Sequence, residues 1–331
     1  MLYPLKFKPL LKERIWGGSV LADKKGKAAG RIDLTKKYGE SWDISCVKGN
    51  ISKVASGMLK GNDLEELIEV YMGDLVGEKI FEESGLEFPL LIKTLDCNDV
   101  LSVQVHPDDE LAAERHNSLG KTEMWYITSC EDGAAIYIGF NRDDLTREEY
   151  LDAVSSGRLT ELLNRVEVKA GDAFFIPAGM VHALGKGVQV VEIQQTSDVT
   201  YRIYDWDRVD DAGQPRELHT ALAVDAIDFS LGVKDSLCDY TPENNKSVKI
   251  TSCKYFTTNM LKVDGEVVKN YASLDSFVIF MCIGGEAEID ADGSVEKLSD
   301  GDVVLLPAEF NEVEIKGSAT LLEVYIEPTT K

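Results

Sequence analysis

The hydrophobic pattern of the chain consists mostly of short runs that are rich in β-branched and aromatic residues. Clear runs cover 166–168, 173–176, 188–193, 276–283 and 303–306, and Gly, Asp and Pro separate them. Short strands with turn residues between them are typical of β-sandwiches and β-barrels. The pattern therefore predicts a mainly β protein.

Two segments depart from this pattern because their apolar residues recur with the period of an α-helix. The first covers 62–76, with Asn62 as its predicted capping residue. The second covers 143–163 and opens with Thr146 and Glu149, which have the spacing of a capping box. We predict that both segments are helical.

One β-unit is predicted to occur twice. The sequence around Cys130 resembles the sequence around Cys282 at an offset of 152 residues, and 171–177 resembles 301–307 at an offset of 130. The offset shortens by about the length of 143–163. We therefore interpret this segment as a small helical insertion that only the first copy contains.

Two β-barrel domains are the architecture that this repeat predicts. We expect a catalytic domain over 1–235, which carries both helical segments, and a second barrel over 236–331. A chain of 331 residues has the length of about two domains of roughly 150 residues each.

The charge of the chain restricts its partners. It contains 35 Lys and Arg against 58 Asp and Glu, a formal net charge of −23. The resulting field repels nucleic acid and anionic lipid. We expect neither a nucleic-acid nor a membrane partner, and an anionic ligand must bind at a local cluster of basic residues.

The sequence shows no feature of a membrane or secreted protein. Its longest apolar run, 277–283, is far shorter than the roughly 20 residues of a membrane-spanning helix. The first residues lack the apolar core and cleavage site of a signal peptide. The six cysteines form no Cys-x-x-Cys pair and are too sparse for a disulfide scaffold. We expect reduced thiols and a cytoplasmic location.

A turn motif indicates that one histidine is a functional residue. The pattern Gly171-x5-Pro177-x-Gly179-x2-His182 reproduces the second sequence motif of the cupin superfamily. In such a motif the Pro-x-Gly turn bends the chain sharply, and the histidine returns to the barrel interior. The second copy has Glu312 at the place of His182. We therefore expect two cupin-type barrels (double-stranded β-helix, or jelly roll), the second without metal ligands.

Three further residues complete a candidate metal site with His182. Gln104 and His106 lie on one face of a short predicted strand, because side chains alternate along a strand with a period of two. Glu123 adds a carboxylate. Two imidazoles, a carboxylate and an amide oxygen can bind one divalent metal ion and leave positions open for catalysis.

Seven motifs carry a more specific resemblance. They are Trp16-Gly-Gly18, Gly39-Glu-Ser-Trp42, Pro89-Leu-Leu-Ile-Lys93, Leu101-Ser-Val-Gln-Val-His-Pro-Asp-Asp109, Gly120-Lys-Thr-Glu-Met-Trp125, Ile176-Pro-Ala-Gly-Met-Val-His182 and Thr200-Tyr-Arg202-Ile-Tyr-Asp-Trp206. Together they resemble the type I mannose-6-phosphate isomerase family in its short bacterial form. The resemblance covers about residues 1 to 225 and becomes weaker through the C-terminal part.

This resemblance implies a zinc-dependent interconversion of mannose 6-phosphate and fructose 6-phosphate in a cupin barrel. It implies one metal ion per chain and a hexose 6-phosphate as the substrate. The ligands that it implies are Gln104, His106, Glu123 and His182, and the residues that it places around the site are Lys93, Lys121, Glu192 and Arg202.

The reaction needs these residue types, but the sequence leaves their roles open. Conversion of an aldose to a ketose moves a proton between C1 and C2 through an enediol, whose oxyanion the metal or Arg202 could stabilise. Glu192 is a candidate for carrying the proton. Lys93 and Lys121 could bind the phosphate, or one of them could act as an acid or base.

Two other functions also fit the metal site. Two histidines and a carboxylate form the triad that holds ferrous iron in cupin oxygenases, and the mixed nitrogen and oxygen ligands suit zinc, manganese, iron, cobalt or nickel. A non-catalytic sugar-binding cupin is a third interpretation. The lysines and the arginine favour the isomerase, because a sugar phosphate uses them and a neutral substrate does not require them.

Overall fold

The computed structural model describes residues 2–30, 32–209 and 213–327. Within them lie β1 to β17, which are Leu10–Gly18, Tyr38–Ile44, Leu90–Cys97, Val103–Val105, Glu123–Cys130, Ala135–Phe140, Leu163–Glu167, Ala173–Ile176, His182–Leu184, Val188–Gln195, Tyr201–Tyr204, Ser247–Ser252, Thr257–Asn270, Val278–Ala291, Ser294–Ser299, Val303–Leu306 and Glu312–Tyr325. The helices α1 to α6 are Val20–Ala29, Leu64–Val76, Glu78–Ser84, Asp109–His116, Arg147–Ser155 and Thr220–Ala226. Short 3₁₀ turns cover Leu159–Leu162 and Val233–Asp235.

Antiparallel pairing joins the strands into three sheets. The first has the order β1-β2-β3-β10-β5-β8, and the second has the order β11-β4-β9-β6-β7. The third has the order β12-β13-β17-β14-β15, with β16 also paired to β14. The prediction of a mainly β protein is confirmed. Among the described residues the sheets are open, so their closure into two barrels is not confirmed.

The first and second sheets pack against each other and create the place for the site. Their shared core contains Trp125 and Ile127 from the first sheet and Ile138 and Leu184 from the second. These side chains are almost completely buried. The burial of apolar surface therefore fixes the distance between the two sheets, and polar residues beside this core face one another.

The helix predicted at 62–76 is confirmed, with a different residue at its start. Asp63, not Asn62, caps α2: its carboxylate accepts the Glu66 N–H at 3.0 Å, and the Glu66 carboxylate accepts the Asp63 N–H at 3.0 Å. This reciprocal pair satisfies two backbone donors that the first helical turn leaves free. It accounts for the later start of the helix.

The helical insertion at 143–163 is shorter than predicted, and part of it is buried. It contains α5 and a 3₁₀ turn, and its last residue, Leu163, already begins β7. The Thr146–Glu149 capping box is present. The Tyr150 ring packs edge-on against Phe140, at a centroid distance of 6.0 Å, and is fully buried. The insertion therefore contributes to the core of the second sheet.

Two substitutions of Tyr150 test this contribution. The Tyr150 hydroxyl is buried and has no hydrogen-bond partner among the described residues. We expect Tyr150→Ala to lower the free energy of unfolding by about 3–5 kcal/mol, the usual cost of removing a buried aromatic ring. Tyr150→Phe should leave it unchanged or raise it, because it removes only an unsatisfied polar group. Urea denaturation of both variants measures this, and equal losses would contradict it.

The structure corrects the register of the predicted repeat. Tyr126 in β5 lies opposite Ala173 in β8, and Met281 in β14 lies opposite Val303 in β16. Ala173 and Val303 are equivalent at the predicted offset of 130 residues. Tyr126 is therefore equivalent to Met281, at an offset of 155, and the predicted offset of 152 for this part of the repeat is wrong by three residues.

Candidate active site

A row of paired residues across the first sheet forms one side of the site. In the centre, Glu192 of β10 lies opposite Lys93 of β3 and Trp125 of β5. Lys93 Nζ donates to Glu192 Oε1 at 2.8 Å, and Trp125 Nε1 donates to Glu192 Oε2 at 3.1 Å. Lys93 also lies over the Trp42 ring, 5.4 Å from its centroid. Both Glu192 oxygens are thus fixed, and the side chain has a defined orientation.

A second row crosses the second sheet. Gln104 of β4 lies opposite His182 of β9 and opposite Arg202 of β11. The turn before β9 needs a glycine, because Gly179 has φ 89° and a Cβ there would lie 3.2 Å from the Ala226 carbonyl oxygen. The Pro-x-Gly motif therefore serves the predicted purpose of aiming His182 inward.

Three residues predicted as metal ligands meet between the two sheets. The ligand atoms of His106, Glu123 and His182 all lie within 4.8 Å of one another, and all three side chains are buried. His106 Nε2 is 3.7 Å from Glu123 Oε2, and His182 Nε2 is 3.4 Å from Glu123 Oε1. Among the described residues this is the one such group of His, Cys, Asp or Glu.

Hydrogen bonds at the far side of each ring prepare both imidazoles for a metal. His106 Nδ1 lies 3.0 Å from the Val199 carbonyl oxygen, and His182 Nδ1 lies 2.8 Å from the Met180 carbonyl oxygen. A carbonyl only accepts, so each Nδ1 carries the hydrogen and each Nε2 presents its lone pair to the site. A hydrogen bond from the second ring nitrogen to a carbonyl oxygen is the usual arrangement for metal-bound histidine.

Burial and nearby positive charge keep both imidazoles neutral. They hold the pKa of His106 well below its usual range and lower the pKa of His182 to about 3, with Lys121 as the main charged neighbour. Neutral imidazole is the form that binds a metal. Protons therefore do not compete for these nitrogens near neutral pH.

Glu123 shows that the site needs a cation. The side chain is fully buried, and its Oε1 has no hydrogen-bond donor among the described residues. Its Oε2 pairs with Lys121 Nζ at 2.5 Å, and the same Nζ lies 2.9 Å from His106 Nε2. Burial and the nearby Glu192 raise the pKa of Glu123. A lysine ammonium thus occupies part of the space that a metal ion would use, and the donor set fits a divalent ion.

Gln104, the fourth predicted ligand, lies beside the other three. Its carboxamide ends 3.3 Å from His182 Nε2. Rotation of the amide by half a turn presents the oxygen in place of the nitrogen. The structure therefore brings all four predicted ligands together.

The two lysines predicted near the site are both buried and paired with acids. Lys121 Nζ is 4.0 Å from Glu192 Oε1, in addition to its contact with Glu123. Burial alone disfavours the ionised form of Glu192, but Lys93 and Lys121 outweigh it and lower the pKa of this carboxyl. Burial likewise opposes the charge on Lys93, but Glu192 and Glu40 outweigh it and raise the pKa of Lys93.

A cavity of about 360 Å³ opens next to this cluster. Gln104, Lys93, Lys121, Glu192 and Arg202 all line it, so five of the eight predicted residues reach it directly. Its volume lies in the range of small-molecule sites. The cavity reaches the candidate metal site through Gln104 and Lys121, which line it and lie beside His182 and His106.

Several lining residues were not predicted from the sequence. Arg14 forms a bidentate ion pair with Glu40, in which Nε and Nη2 donate to the two carboxylate oxygens at 2.9 Å each. Arg216 lines the same cavity as Arg202. His219 Nδ1 accepts the Arg202 N–H at 3.1 Å and so fixes the strand that carries it. Of these residues, Glu40 had a signal in the sequence, because it lies in the Gly39-Glu-Ser-Trp42 motif.

The arrangement has three parts that belong to one chemistry. Two neutral imidazoles and a carboxylate can hold a divalent ion, an ionised Glu192 can take a proton, and Arg202 with the lysines can hold negative charge. The fold and the site define a mainly β protein of the cupin class with a candidate metal site beside a cavity.

Comparison with known proteins specifies the family. The profile of the type I phosphomannose isomerase catalytic domain matches residues 4–131, and the profile of the mannose-6-phosphate isomerase cupin domain matches 246–326. A mannose-6-phosphate isomerase of Bacillus subtilis is 38% identical over 321 residues, which is 96% of each chain. One from Streptococcus mutans is 33% identical over 322 residues, 97% of this chain and 98% of that protein. This chain belongs to the mannose-6-phosphate isomerase family, type I, and the predicted resemblance is confirmed.

A solved structure agrees with this assignment over the whole chain. The crystal structure of the mannose 6-phosphate isomerase from Bacillus subtilis superposes with a TM-score of 0.85 at 36% identity, and covers 98% of this chain and 100% of that one. The similarity therefore extends beyond residue 225, where the sequence motifs become weak. None of the described helices combines the length and the apolar character of a membrane span.

Proposed function

We propose that this chain is a metal-dependent aldose–ketose isomerase that interconverts mannose 6-phosphate and fructose 6-phosphate. The single observation that carries the proposal is the buried His106–Glu123–His182 cluster beside a cavity with Arg202 and two lysines. Membership of the isomerase family supports it. The same membership argues against the oxygenase and the non-catalytic alternatives.

Gln104, His106, Glu123 and His182 are the residues that we assign as metal ligands. We assign one divalent ion per chain, with zinc as the ion, because the resemblance to the isomerase family implies zinc and because zinc accepts imidazole and carboxylate ligands. When bound, the ion supplies a Lewis acid for the sugar oxygens. Among these ligands, the Glu123 carboxylate most needs the positive charge of the ion. It is buried, and its Oε1 has no hydrogen-bond donor among the described residues.

Metal binding requires Lys121 to move. In this structure Lys121 Nζ lies 2.9 Å from His106 Nε2, whose single lone pair cannot also bind a metal. Lys121 lines the cavity, so its ammonium has room to turn toward a substrate.

Glu192 is the residue that we assign to proton transfer. It takes the C2 proton of the open-chain aldose, the C1–C2 double bond forms, and the electron pair of the C1 carbonyl passes to O1. Return of the proton to C1, with transfer of the O2 proton to O1, gives the ketose. Lys93 and Trp125 hold the Glu192 oxygens by hydrogen bonds, so the base stays oriented through both steps.

Arg202 faces the same cavity as an anion-binding group. Its side chain is half-buried, and its Nε has no hydrogen-bond partner among the described residues. Burial and the nearby Arg216 lower the pKa of Arg202, which nevertheless stays charged because an arginine titrates far above neutrality. It is therefore available for the enediolate or for the phosphate.

The same division into two cupin barrels, 1–235 and 236–331, is part of the proposal. The described residues of the C-terminal barrel contain no group of three or more His, Cys, Asp or Glu side chains that could hold a metal ion. Val278 lies opposite Leu306 as Glu123 lies opposite Ile176, and an exposed Glu312 replaces His182. A buried valine in place of the carboxylate supports a structural role for this barrel.

We also assign the enzyme to the cytoplasm and expect no nucleic-acid or membrane partner. All six cysteines are free thiols, as is usual in a reducing compartment. The net charge of −23 opposes binding to nucleic acid and to anionic lipid. Hexose 6-phosphate is the small-molecule partner that we propose for the site.

Metal removal tests the proposed function directly. Purified protein should convert mannose 6-phosphate to fructose 6-phosphate, lose this activity with a chelator, and regain it with zinc, because the buried carboxylate and imidazoles lose the Lewis acid. Elemental analysis should give about one ion per chain. Turnover that persists after complete metal removal, or no turnover in the zinc-loaded protein, would contradict the proposal.

A further inference from the structure

The segment 120–122 carries Lys121 into the site and is held at each of its backbone N–H groups. The first N–H donates to Asp109 Oδ1 at 3.0 Å, the second to the Pro107 carbonyl at 3.1 Å, and the third to Gln195 Oε1 at 2.9 Å. The Lys121 backbone therefore has its place set by these three acceptors, two of which are side chains.

Asp109 is the centre of this arrangement. Its Oδ1 also accepts a hydrogen bond from Gln195 Nε2 at 2.9 Å. The carboxylate thus holds the segment directly at one end and through Gln195 at the other. Gly120 packs against Asp109 so closely that a Cβ would lie 2.6 Å from the Asp109 backbone nitrogen. A displacement of Asp109 has to displace the segment as well.

The other carboxylate oxygen of Asp109 is held from the C-terminal unit, which we define as residues 246–326. Tyr255 donates its hydroxyl hydrogen to Asp109 Oδ2 at 2.6 Å, and Lys254 Nζ lies 3.0 Å from the same atom. Both residues lie between β12 and β13. Lys254 is mostly exposed and Tyr255 is half-buried, so the tyrosine makes the less screened contact.

These hydrogen bonds keep Asp109 ionised. Burial alone would favour its neutral form, but the donors Tyr255, Gln195 and Lys254 outweigh it and lower the pKa of Asp109 to about 2. An ionised carboxylate accepts all four hydrogen bonds at once, which a neutral group cannot do.

We propose that Asp109 is a positioning residue for isomerisation: it places Lys121 through the segment 120–122, and Tyr255 of the C-terminal unit holds Asp109 in place. The inference rests on the proposed function, because its kinetic effect is an effect on isomerisation. It gives the C-terminal unit, whose described residues contain no candidate metal site, a part in the reaction.

The first test removes a single hydroxyl group. Tyr255→Phe should lower kcat about 2- to 10-fold, the effect of one net hydrogen bond, and leave KM within about twofold, since substrate contacts stay in place. Tyr240→Phe is the matched control, because the Tyr240 hydroxyl donates to the Gly171 carbonyl at 2.6 Å, away from this segment. It should leave both constants unchanged.

The second test asks whether Asp109 acts through Lys121. Asp109→Ala should lower kcat more than Tyr255→Phe does, whereas Asp109→Asn should restore part of it because its carbonyl still accepts from Gly120. In a Lys121→Met background, Asp109→Ala should have little further effect, as expected for residues that act as one unit. Additive effects would overturn the proposal. If Asp109→Ala does not fold, the comparison uses Asp109→Asn and Tyr255→Phe.

Amide hydrogen exchange makes the test independent of turnover. Tyr255→Phe should speed exchange at 120–122 and leave 171–173 unchanged, whereas Tyr240→Phe should not affect 120–122. An unchanged exchange rate at 120–122, or wild-type kcat in Tyr255→Phe, overturns the positioning role. A wild-type protein that fails to isomerise mannose 6-phosphate overturns the proposed function instead, so the two failures are distinguishable.

Discussion

His182→Ala should abolish metal binding and lower kcat/KM by more than about 100-fold. Loss of an outer hydrogen-bond partner of a metal ligand already costs about 10- to 100-fold, and His182 Nε2 is itself one of the proposed ligand atoms. The Nδ1 hydrogen bond to the Met180 carbonyl would be lost with the ring. His106→Ala should have the same effect, because it removes the other imidazole.

Elemental analysis and steady-state kinetics check this expectation, and circular dichroism checks the fold. His116→Ala is the matched control: His116 is an exposed histidine at the end of α4 whose ring lies 2.8 Å from the Tyr201 hydroxyl. It should keep full metal content and turnover. A folded His182→Ala enzyme with one metal per chain and normal kcat would remove this residue from the metal site.

The local part of the site could be predicted from the sequence because short-range geometry determines it. Gln104 and His106 share a face through strand alternation, and the Pro-x-Gly turn brings His182 inward. The motifs therefore predict the types of metal ligand without any information on how the strands pair. Arg14 and Arg216 carry no such local signal. They reach the cavity only through the pairing of strands and loops that are distant in sequence.

The offset of 152 residues is wrong because it matches identical residues and not equivalent positions in paired strands. Cys130 ends β5, whereas Cys282 lies inside the longer β14, next to a register shift between Cys282 and Gly284. Matching the two cysteines therefore misplaced the strands by three residues. Cross-strand partners of a sheet determine structural equivalence, and these partners are not visible in a single strand.

The role of the helical insertion could not be predicted either. Its amphipathic pattern predicted a helix, and α5 is present, but the pattern says nothing about which surface the apolar side covers. The structure places Tyr150 against Phe140 and Phe229. The insertion is therefore part of the core that supports β4, β9 and β11, the strands that carry Gln104, His182 and Arg202.

Arg202→Ala separates two roles that the geometry allows. If Arg202 stabilises the enediolate, kcat should fall on the order of 10²- to 10³-fold, as for the loss of other single donors to a developing oxyanion, while KM changes little. If it mainly binds the phosphate, KM should rise instead. The structure favours the first result, because Arg202 lies opposite the proposed metal ligand Gln104 in the sheet.

Metal content and a second substitution make the Arg202 experiment decisive. Arg202 is not a proposed ligand, so Arg202→Ala should keep one metal ion per chain. Arg202→Lys keeps the charge and loses the planar guanidinium, so partial recovery of kcat indicates a point-charge role and no recovery indicates a geometric one. Arg165→Ala, at an exposed arginine of β7, is the control and should behave as wild type. Normal kcat and KM in a metal-loaded Arg202→Ala enzyme would exclude Arg202 from the reaction, and the oxyanion would then depend on the metal and Lys121 alone.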